Sequence, residues 1–415
     1  MRNASNLRII VIIWLAWGLL MVGYQAYVPA RFQPQRPDRA VFWTAEATQN
    51  PPTGEESFLS SHVAWDSGYY LSIAIAGYDD PQMRAIPPHF SWRNPQIARK
   101  GDRPDWISMN YAFYPFYPLM IRGLMLPLGV LGLNPFATAT LAGVLVSMLG
   151  TLGAMLALWD LARDDWGDDV GRRAAFYLLI FPAGMFLAQV YTEGLFLGLS
   201  FGAIALARRQ QWMGAGLLAM AATWTKAAGV LIVIPLVWYW WQAGGLKKLV
   251  RQPAWTEARK MLWISSPILA YLIWSAWLGD SFRIVQSAYF NRGLLLMGES
   301  YADWSKAWAS MFTNNLQARA YYLVEFAAIG FGLLACLLFW QRSRPLAIYS
   351  LIIILFALTS GEAQGMHRYV MAAPIIFLLP AAWGQNEAFD RAWTLGNVLL
   401  MGVFAATFSF GFWAG

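Results

Sequence analysis

One acidic residue in the first long polar part of the chain has surroundings that suit proton transfer. Asp66 stands in the stretch HVAWDSGYYLSIAIAGY (62–78), between a tryptophan and a Ser-Gly pair. A carboxylate in an aromatic, partly dry setting can accept a proton from a hydroxyl group as that group attacks an electrophile. The alternative is helix capping, since an Asp before Ser67-Gly68 can accept hydrogen bonds from the first N–H groups of a helix.

Aromatic residues follow Asp66 at helical spacing. If 67–77 is a helix, positions three and four residues after Asp66 lie on its face and form an aromatic wall. Sugar or acceptor contacts are therefore expected from Trp65, Tyr69 and Tyr70, from His62 one turn earlier, and from Tyr114 and Tyr191 in later aromatic segments.

Glu193 lies between two apolar runs, in VYTEGLF. An acid at a membrane edge is costly, so it is usually paired or functional. We expect a second catalytic acid that orients Asp66, the acceptor or a metal ion. The alternative is a favourable charge at a helix N-terminus.

Three basic residues could stabilise negative charge on a leaving phosphate. Lys226, His367 and Arg368 stand in short polar connections between apolar runs. Positive groups placed where charge develops accelerate such a reaction, and the guanidinium fork suits phosphate oxygens. The alternative is that these long side chains reach towards lipid headgroups.

Metal and cofactor chemistry has little support in the sequence. Three histidines and one cysteine make a structural zinc site unfavourable. A divalent cation held by Asp66 and Glu193 remains an alternative, without a clustered acidic motif beside them. The acid-rich DDWGDD (164–169) is interpreted as a solvated loop, and no P-loop or dinucleotide motif is present.

The composition indicates the elements that must position these residues. The chain has 415 residues, of which 58% are hydrophobic and 13% charged, whereas soluble domains carry about 25% charged residues. Apolar runs of the roughly 20 residues needed to cross a bilayer recur along the chain. We therefore predict an all-α polytopic membrane protein. The net charge of +7 fits membrane topology and anionic headgroups, so no nucleic-acid partner is expected.

The apolar runs predict about 11 transmembrane helices with a cytoplasmic N-terminus. The expected spans are 9–29, 136–160, 174–190, 193–207, 212–225, 227–242, 261–279, 319–340, 345–360, 370–384 and 392–413. Short inner connections should be basic, and this orientation gives them Arg163, Arg172, Arg173, Arg208, Arg209, Lys247, Lys248, Arg251, Arg342 and Arg344.

The polar segments predict a single membrane domain (1–415) with chemistry on its outer side. The first extracytoplasmic loop is expected at 31–135 and should contain juxtamembrane helices, including one at 113–133 that lies at the interface. A second long outer loop is expected at 280–318. The segments 31–57 and 81–106 are rich in Pro, Gln, Arg and Asp and are predicted as loops.

A series of motifs resembles the PIG-V-like mannosyltransferases of the GT-C superfamily of integral-membrane glycosyltransferases. WDSGYYLSIAIAGY resembles the family's W-D-S-x-x-Y/F-x-x-I-A-x-x-G-Y element. Later elements follow in the family's order, namely FYPFYPLMIR (113–122), FPAGMFLAQVYTEGLFLGLS (181–200), GLLAMAATWTKAAGVLIVIPL (216–236), GDSFRIVQSAYFNRG (279–293) and MHRYVMAAPIIFL (366–378). Lys226 departs from the family's usual Arg, and the chain after about 385 matches no element of it.

The resemblance implies a sugar, mannose or another hexose, on a polyprenyl-phosphate donor. It also implies transfer to a hydroxyl of a glycan, glycolipid or protein on the extracytoplasmic side, with inversion and with Asp66 as the base. The donor tail would need a groove between helices, and spans 319–340 to 370–384 are expected to supply it. A bacterial plasma membrane is favoured over the endoplasmic reticulum.

Two other classes of protein remain open. A lipid or sugar-lipid transporter would show inverted repeats and charges near the membrane midplane, and neither pattern is visible. An O-antigen ligase-type enzyme would also use outer Arg and His residues, but it usually places its large loop late in the chain.

Overall fold

The computed structural model describes residues 2–32, 57–86, 106–247 and 254–415. Most of the two predicted loops (33–56 and 87–105) and the basic residues Lys248 and Arg251 lie outside these ranges.

The described part of the chain is almost entirely helical. The helices are α1 (Arg2–Arg31), α2 (Ser57–Ser60), α3 (Ser67–Ile75), α4 (Phe116–Leu128), α5 (Pro135–Trp166), α6 (Asp168–Ile180), α7 (Glu193–Arg208), α8 (Trp212–Thr223), α9 (Val233–Gln242), α10 (Ala254–Leu278), α11 (Asp280–Ala288), α12 (Met297–Ser310), α13 (Leu316–Phe339), α14 (Arg344–Leu358), α15 (Met366–Tyr369), α16 (Ile375–Trp383) and α17 (Glu387–Ser409). Two short strands, β1 (Arg84–Ile86) and β2 (Ile107–Ser108), pair antiparallel. The predicted all-α membrane class is confirmed.

Fewer helices have spanning length than the sequence predicted. Among the described residues, five helices are long and apolar enough to cross a membrane, namely α1, α5, α10, α13 and α17. α6 and the 3₁₀ segment Pro182–Ala188 together could form a sixth, but they meet at an 83° bend. The remaining predicted spans fall on shorter helices, several of which are preceded by 3₁₀ turns at Ala227–Ile232 and Val370–Ala372. Such breaks need neighbouring helices to satisfy their backbone groups.

The central helices pack tightly because glycines line their contact. A Cβ added to Gly194 of α7 would lie 2.1 Å from the Ser147 carbonyl oxygen of α5, and one added to Gly198 would lie 2.2 Å from the Gly150 carbonyl oxygen. Small residues allow this close approach between helix backbones. The approach fixes the N-terminus of α7, which carries Glu193, against α5.

The short helices of the first polar segment pack against this core. α3 contacts α4 and α5, and Asn110 ties the region together by donating its side-chain N–H groups to Ser72 Oγ (2.7 Å) and the Gly77 carbonyl oxygen (3.1 Å). The segment predicted to lie at the interface forms α4 and a 3₁₀ turn (Gly129–Leu131), which is shorter than a spanning helix. The turn that precedes α3 carries Asp66.

Candidate active site

Asp66 occupies the N-cap position of α3 without capping it. Its backbone is helical (φ −58°, ψ −24°) and its side chain makes no hydrogen bond to the N–H groups of the helix. The carboxylate instead points towards Arg368, whose Nη1 lies 3.5 Å from Asp66 Oδ2. The capping interpretation of Asp66 is therefore wrong for this structure.

A chain of opposite charges extends from Asp66 through Arg368 to Glu193 and Lys226. Arg368 Nε lies 3.6 Å from Glu193 Oε1, and Lys226 Nζ donates to the same oxygen at 2.8 Å. The side chains of Glu193 and Arg368 are 3% and 4% exposed, whereas those of Asp66 and Lys226 are 26% and 27% exposed. The two outer members of the chain therefore remain accessible from outside the protein.

Helix ends bring these four residues together from distant parts of the sequence. Glu193 is the first residue of α7, and Lys226 follows α8 at the start of a 3₁₀ turn. Arg368 stands on α15, which begins after Gly365 in the left-handed conformation (φ 75°). Charged side chains at helix ends can reach one site without breaking the apolar helices behind them.

Tyr369 lies among three cations. Its ring centroid is 4.9 Å from Lys226 Nζ, 5.0 Å from Arg368 Cζ and 5.6 Å from Arg292 Cζ. Its hydroxyl oxygen accepts a hydrogen bond from Arg368 Nη2 at 3.2 Å. Neither Arg292 nor Tyr369 was among the site residues predicted from the sequence. Arg292 nevertheless lies in the family-like element 279–293, and Tyr369 follows Arg368 directly.

The charges and the burial shift two pKa values in opposite directions. Burial raises the pKa of the Asp66 carboxyl above its ordinary value, and the charge of Arg368 only partly offsets this. Burial also acts to raise the pKa of the Tyr369 hydroxyl, but the cations Arg292, Arg368 and Lys226 outweigh it and lower that pKa. The site thus combines a carboxylate of increased basicity with a strongly positive surface.

Two buried polar atoms of this cluster make no hydrogen bond within the described ranges. They are Glu193 Oε2 and Arg368 Nε. Buried polar groups in proteins usually have a partner. Arg368 Nε still lies 3.6 Å from Glu193 Oε1, so the ion pair between the two side chains compensates part of this loss.

Tyr191 and Tyr70 form the aromatic floor of the site. Tyr191 Oη accepts a hydrogen bond from the Asp66 N–H (3.3 Å), and Arg368 Cζ lies 5.2 Å from the Tyr191 ring. Tyr70 packs edge-on against Tyr117 and Tyr191. Tyr69 stacks on Phe113 with a centroid distance of 4.7 Å, so it forms part of the wall expected beside Asp66.

Three predicted site residues do not join the charged cluster. His367 Nδ1 lies 3.1 Å from Glu325 Oε1, and its Nε2 lies 2.8 Å from the Ala414 carbonyl oxygen. His62 is 1% exposed, with Nδ1 3.1 Å from the Ala188 carbonyl oxygen. Tyr114 stacks on Trp274 and is 6% exposed. Both ring nitrogens of His367 face oxygen atoms of the protein and the side chain is buried, which argues against a direct phosphate contact.

A metal ion and an apolar groove could both form parts of such a site. In the part of the chain that the structure describes, no group of three or more His, Cys, Asp or Glu residues could hold a metal ion. An apolar groove of about 1020 Å³ runs along α5 and α7, and its lining includes Leu149, Gly153, Leu199 and Leu218.

The protein is thus an integral membrane protein whose buried ion-pair chain reaches the protein surface at Asp66 and Lys226. Comparison with known proteins confirms the predicted resemblance to a mannosyltransferase over part of the chain. The chain is 33% identical over 183 residues to GPI alpha-1,6-mannosyltransferase 2 from Cricetulus griseus, and the match covers 43% of this chain and 31% of that relative. The chain thus spans about a third of the relative's length. No protein-family profile matches the chain.

Distant likenesses to solved structures also exist. ArnT from Cupriavidus metallidurans in the apo state is 16% identical, with a TM-score of 0.42, and covers 86% of this chain and 73% of its own. The structure of ArnT bound to undecaprenyl phosphate has a TM-score of 0.44 at 12% identity, and the match covers 97% of this chain and 75% of ArnT. The oligosaccharyltransferase AglB from Archaeoglobus fulgidus has a TM-score of 0.41 at 15% identity, and the match covers 96% of this chain and 56% of AglB. Likeness at this level assigns neither an activity nor a ligand.

Proposed function

We propose that the protein is a glycosyltransferase that moves a hexose, mannose in the first instance, from a polyprenyl-phosphate donor to an acceptor hydroxyl on the extracytoplasmic side. The observation that carries this proposal is the convergence of four charged residues, Asp66, Glu193, Lys226 and Arg368. The ion pairs that link them, from Asp66 to Arg368, Arg368 to Glu193 and Glu193 to Lys226, have N···O distances of 2.8–3.6 Å. The mannosyltransferase relative supports the choice of sugar.

Asp66 acts as the general base in this proposal. The acceptor hydroxyl gives its proton to the Asp66 carboxylate while the hydroxyl oxygen attacks the anomeric carbon of the donor sugar. The bond from that carbon to the phosphate oxygen breaks, and its electron pair stays on the phosphate. Attack from the face opposite the phosphate inverts the configuration. The raised pKa of Asp66 increases its strength as a base at neutral pH.

The cations around Tyr369 receive the leaving phosphate. Lys226, Arg368 and Arg292 lie around one ring, and their positive charge stabilises the negative charge that grows on the phosphate oxygens. Arg292 has the role in phosphate binding that was predicted from the sequence for His367. Glu193 holds Lys226 and Arg368 in place by pairing with both.

The membrane explains why the donor meets the base at a helix end. Each buried CH₂ of a lipid tail is worth about 0.8 kcal/mol, so a polyprenyl donor remains in the bilayer and presents only its head. The exposed sides of Asp66 and Lys226 face the solvent, where an acceptor arrives. A site at the membrane boundary serves both substrates.

Replacement of the base tests this proposal. We expect Asp66→Asn to lower transfer of mannose from a polyprenyl-phosphate donor by about 10²–10⁴-fold, because the amide cannot accept the proton. Asp79→Asn is the matched control, since Asp79 belongs to the same segment and contacts Tyr111 instead of the site. Transfer is measured with purified protein in lipid nanodiscs. A wild-type rate in Asp66→Asn would overturn the assignment of the base.

A further inference from the structure

The residues just before Asp66 and just before Arg368 are both held by the same short segment, 412–414. On the Asp66 side, Trp65 Nε1 donates to the Phe412 carbonyl oxygen at 3.2 Å. The Trp65 ring also meets the Trp413 ring edge-on, with centroids 5.0 Å apart. On the Arg368 side, His367 Nε2 lies 2.8 Å from the Ala414 carbonyl oxygen.

Trp413 touches both sides of this arrangement. Its ring packs on Trp65, and its Nε1 donates to Tyr321 Oη at 2.9 Å. The same hydroxyl accepts a hydrogen bond from the Gly365 N–H at 3.2 Å. Gly365 begins the short helix that carries Arg368. One indole thereby connects the turn before Asp66 with the turn before Arg368.

The backbone of Trp65 shows that this turn needs external support. Trp65 has φ 57°, in the left-handed region that residues with a bulky side chain rarely adopt. Such a conformation persists when surrounding contacts over-determine it, and it is often found at functional sites. The contacts from Phe412 and Trp413 supply part of that support next to Asp66.

We propose that Trp413 is a positioning residue, which sets the distance between the Asp66 carboxylate and the Arg368 guanidinium by bracing both turns. This inference rests on the proposed function, because the spacing matters only if Asp66 is the base and Arg368 meets the phosphate. Trp413 acts on the two side chains through Trp65 and Tyr321. Misplacement of a reacting group by about 1 Å can cost about 10²-fold in rate.

The distance between Asp66 and Arg368 should affect how the rate depends on pH. Arg368 favours the charged form of Asp66, so this distance sets the pH at which the rate falls on the acidic side of the profile, its acidic limb. The groups that act on or face the Asp66 carboxyl are Arg368, Lys226, Glu193, Tyr69, Tyr70, Tyr191 and Tyr369. If Arg368 moves away, the charged form loses its nearest opposite charge. The limb then moves to higher pH and kcat falls, while the KM of the acceptor changes less.

Substitutions at Trp413 separate its ring packing on Trp65 from its hydrogen bond to Tyr321. Trp413→Ala removes both, and we expect a fall in kcat of about 10²-fold together with the upward shift of the limb. Trp413→Phe keeps the packing on Trp65 but loses the hydrogen bond to Tyr321, so its effect should be smaller. Tyr321→Phe loses the Trp413, Gly365 and Glu325 contacts of the hydroxyl, so its effect should be at least as large as that of Trp413→Phe. Trp308→Ala, an exposed tryptophan on α12, is the matched control and should behave like the wild type.

The full-length protein in nanodiscs is assayed for transfer across pH, with thermal unfolding of each variant measured in parallel. If Trp413→Ala does not fold, the variants Trp413→Phe and Tyr321→Phe provide the test. A folded Trp413 variant whose limb and kcat match those of Trp308→Ala would overturn the positioning role alone. Wild-type transfer by Asp66→Asn would overturn the proposed function and this inference with it.

Discussion

Asp66 is subject to burial, which raises its pKa, and to the charge of Arg368 3.5 Å away, which opposes that rise. Glu193 stands in a different position, because two cations contact its Oε1. The two acids therefore differ in availability. Glu193 is bound by its ion pairs, whereas Asp66 keeps an exposed edge that can meet an acceptor.

The pH dependence of transfer follows from this difference. Because protonated Asp66 cannot accept a proton, activity should fall as pH falls through its raised pKa, which lies above the ordinary Asp value of about 3.9. Arg368→Gln removes the opposing charge, so the limb should move to higher pH and donor binding should weaken. kcat/KM is measured across pH for the wild type and Arg368→Gln.

The exposed Arg283, which pairs only weakly at the surface with Asp280, provides the control for that experiment. Arg283→Gln should keep the wild-type profile. An acidic limb that stays in place in Arg368→Gln would contradict the assigned coupling between Arg368 and Asp66.

The sequence was informative for charged residues and less so for their orientation. Asp66, Glu193, Lys226 and Arg368 stood out because charges are rare in so apolar a chain, and the structure brings all four together. His367 was placed with them because it adjoins Arg368. Its direction is set by Glu325, a fully buried acid on α13 that accepts the Gly365 and His367 N–H groups at 2.7 and 3.0 Å. Such a long-range contact leaves no local pattern.

At the scale of elements, close helix packing determines where the charged residues lie. α7 approaches α5 through glycines, and Glu193 precedes the first of them by one residue. The predicted helix after Asp66 was confirmed over Ser67–Ile75, because its apolar and aromatic spacing is regular. The interruptions of the helices were not predicted, since apolar composition does not reveal where 3₁₀ turns and the 83° bend at Pro182 interrupt a helix.

Substitution at the helix contact should disturb the site from a distance. In Gly194→Ala the new methyl group would meet the Ser147 carbonyl oxygen at 2.1 Å, so α7 must shift. We expect a loss of stability of about 1–3 kcal/mol and reduced transfer, because Glu193 moves with the helix. Thermal unfolding and transfer are measured together.

Gly123→Ala on α4 is the comparison, because a Cβ there meets nothing within 4 Å. It should leave both stability and transfer near the wild-type values. Equal behaviour of the two variants would show that the α5–α7 contact does not determine the position of Glu193.

At the scale of the whole molecule, long apolar helices and shorter broken ones together surround one charged cluster. The long helices hold the protein in the membrane, while the interrupted ones end near the site and deliver Glu193, Lys226 and Arg368 to it. The apolar groove along α5 and α7 lies apart from these residues. The donor's phosphate, rather than its tail, is therefore the part whose position the cluster can define.

A density map of the full-length protein with a non-transferable polyprenyl-phosphonate mannose analogue tests the central claim most directly. We expect the phosphonate oxygens within hydrogen-bonding distance of Lys226 and Arg368, with Arg292 beside them, and the anomeric carbon facing the exposed edge of Asp66. A phosphonate bound away from these cations, or a sugar whose anomeric carbon cannot be reached from the Asp66 side, would contradict it.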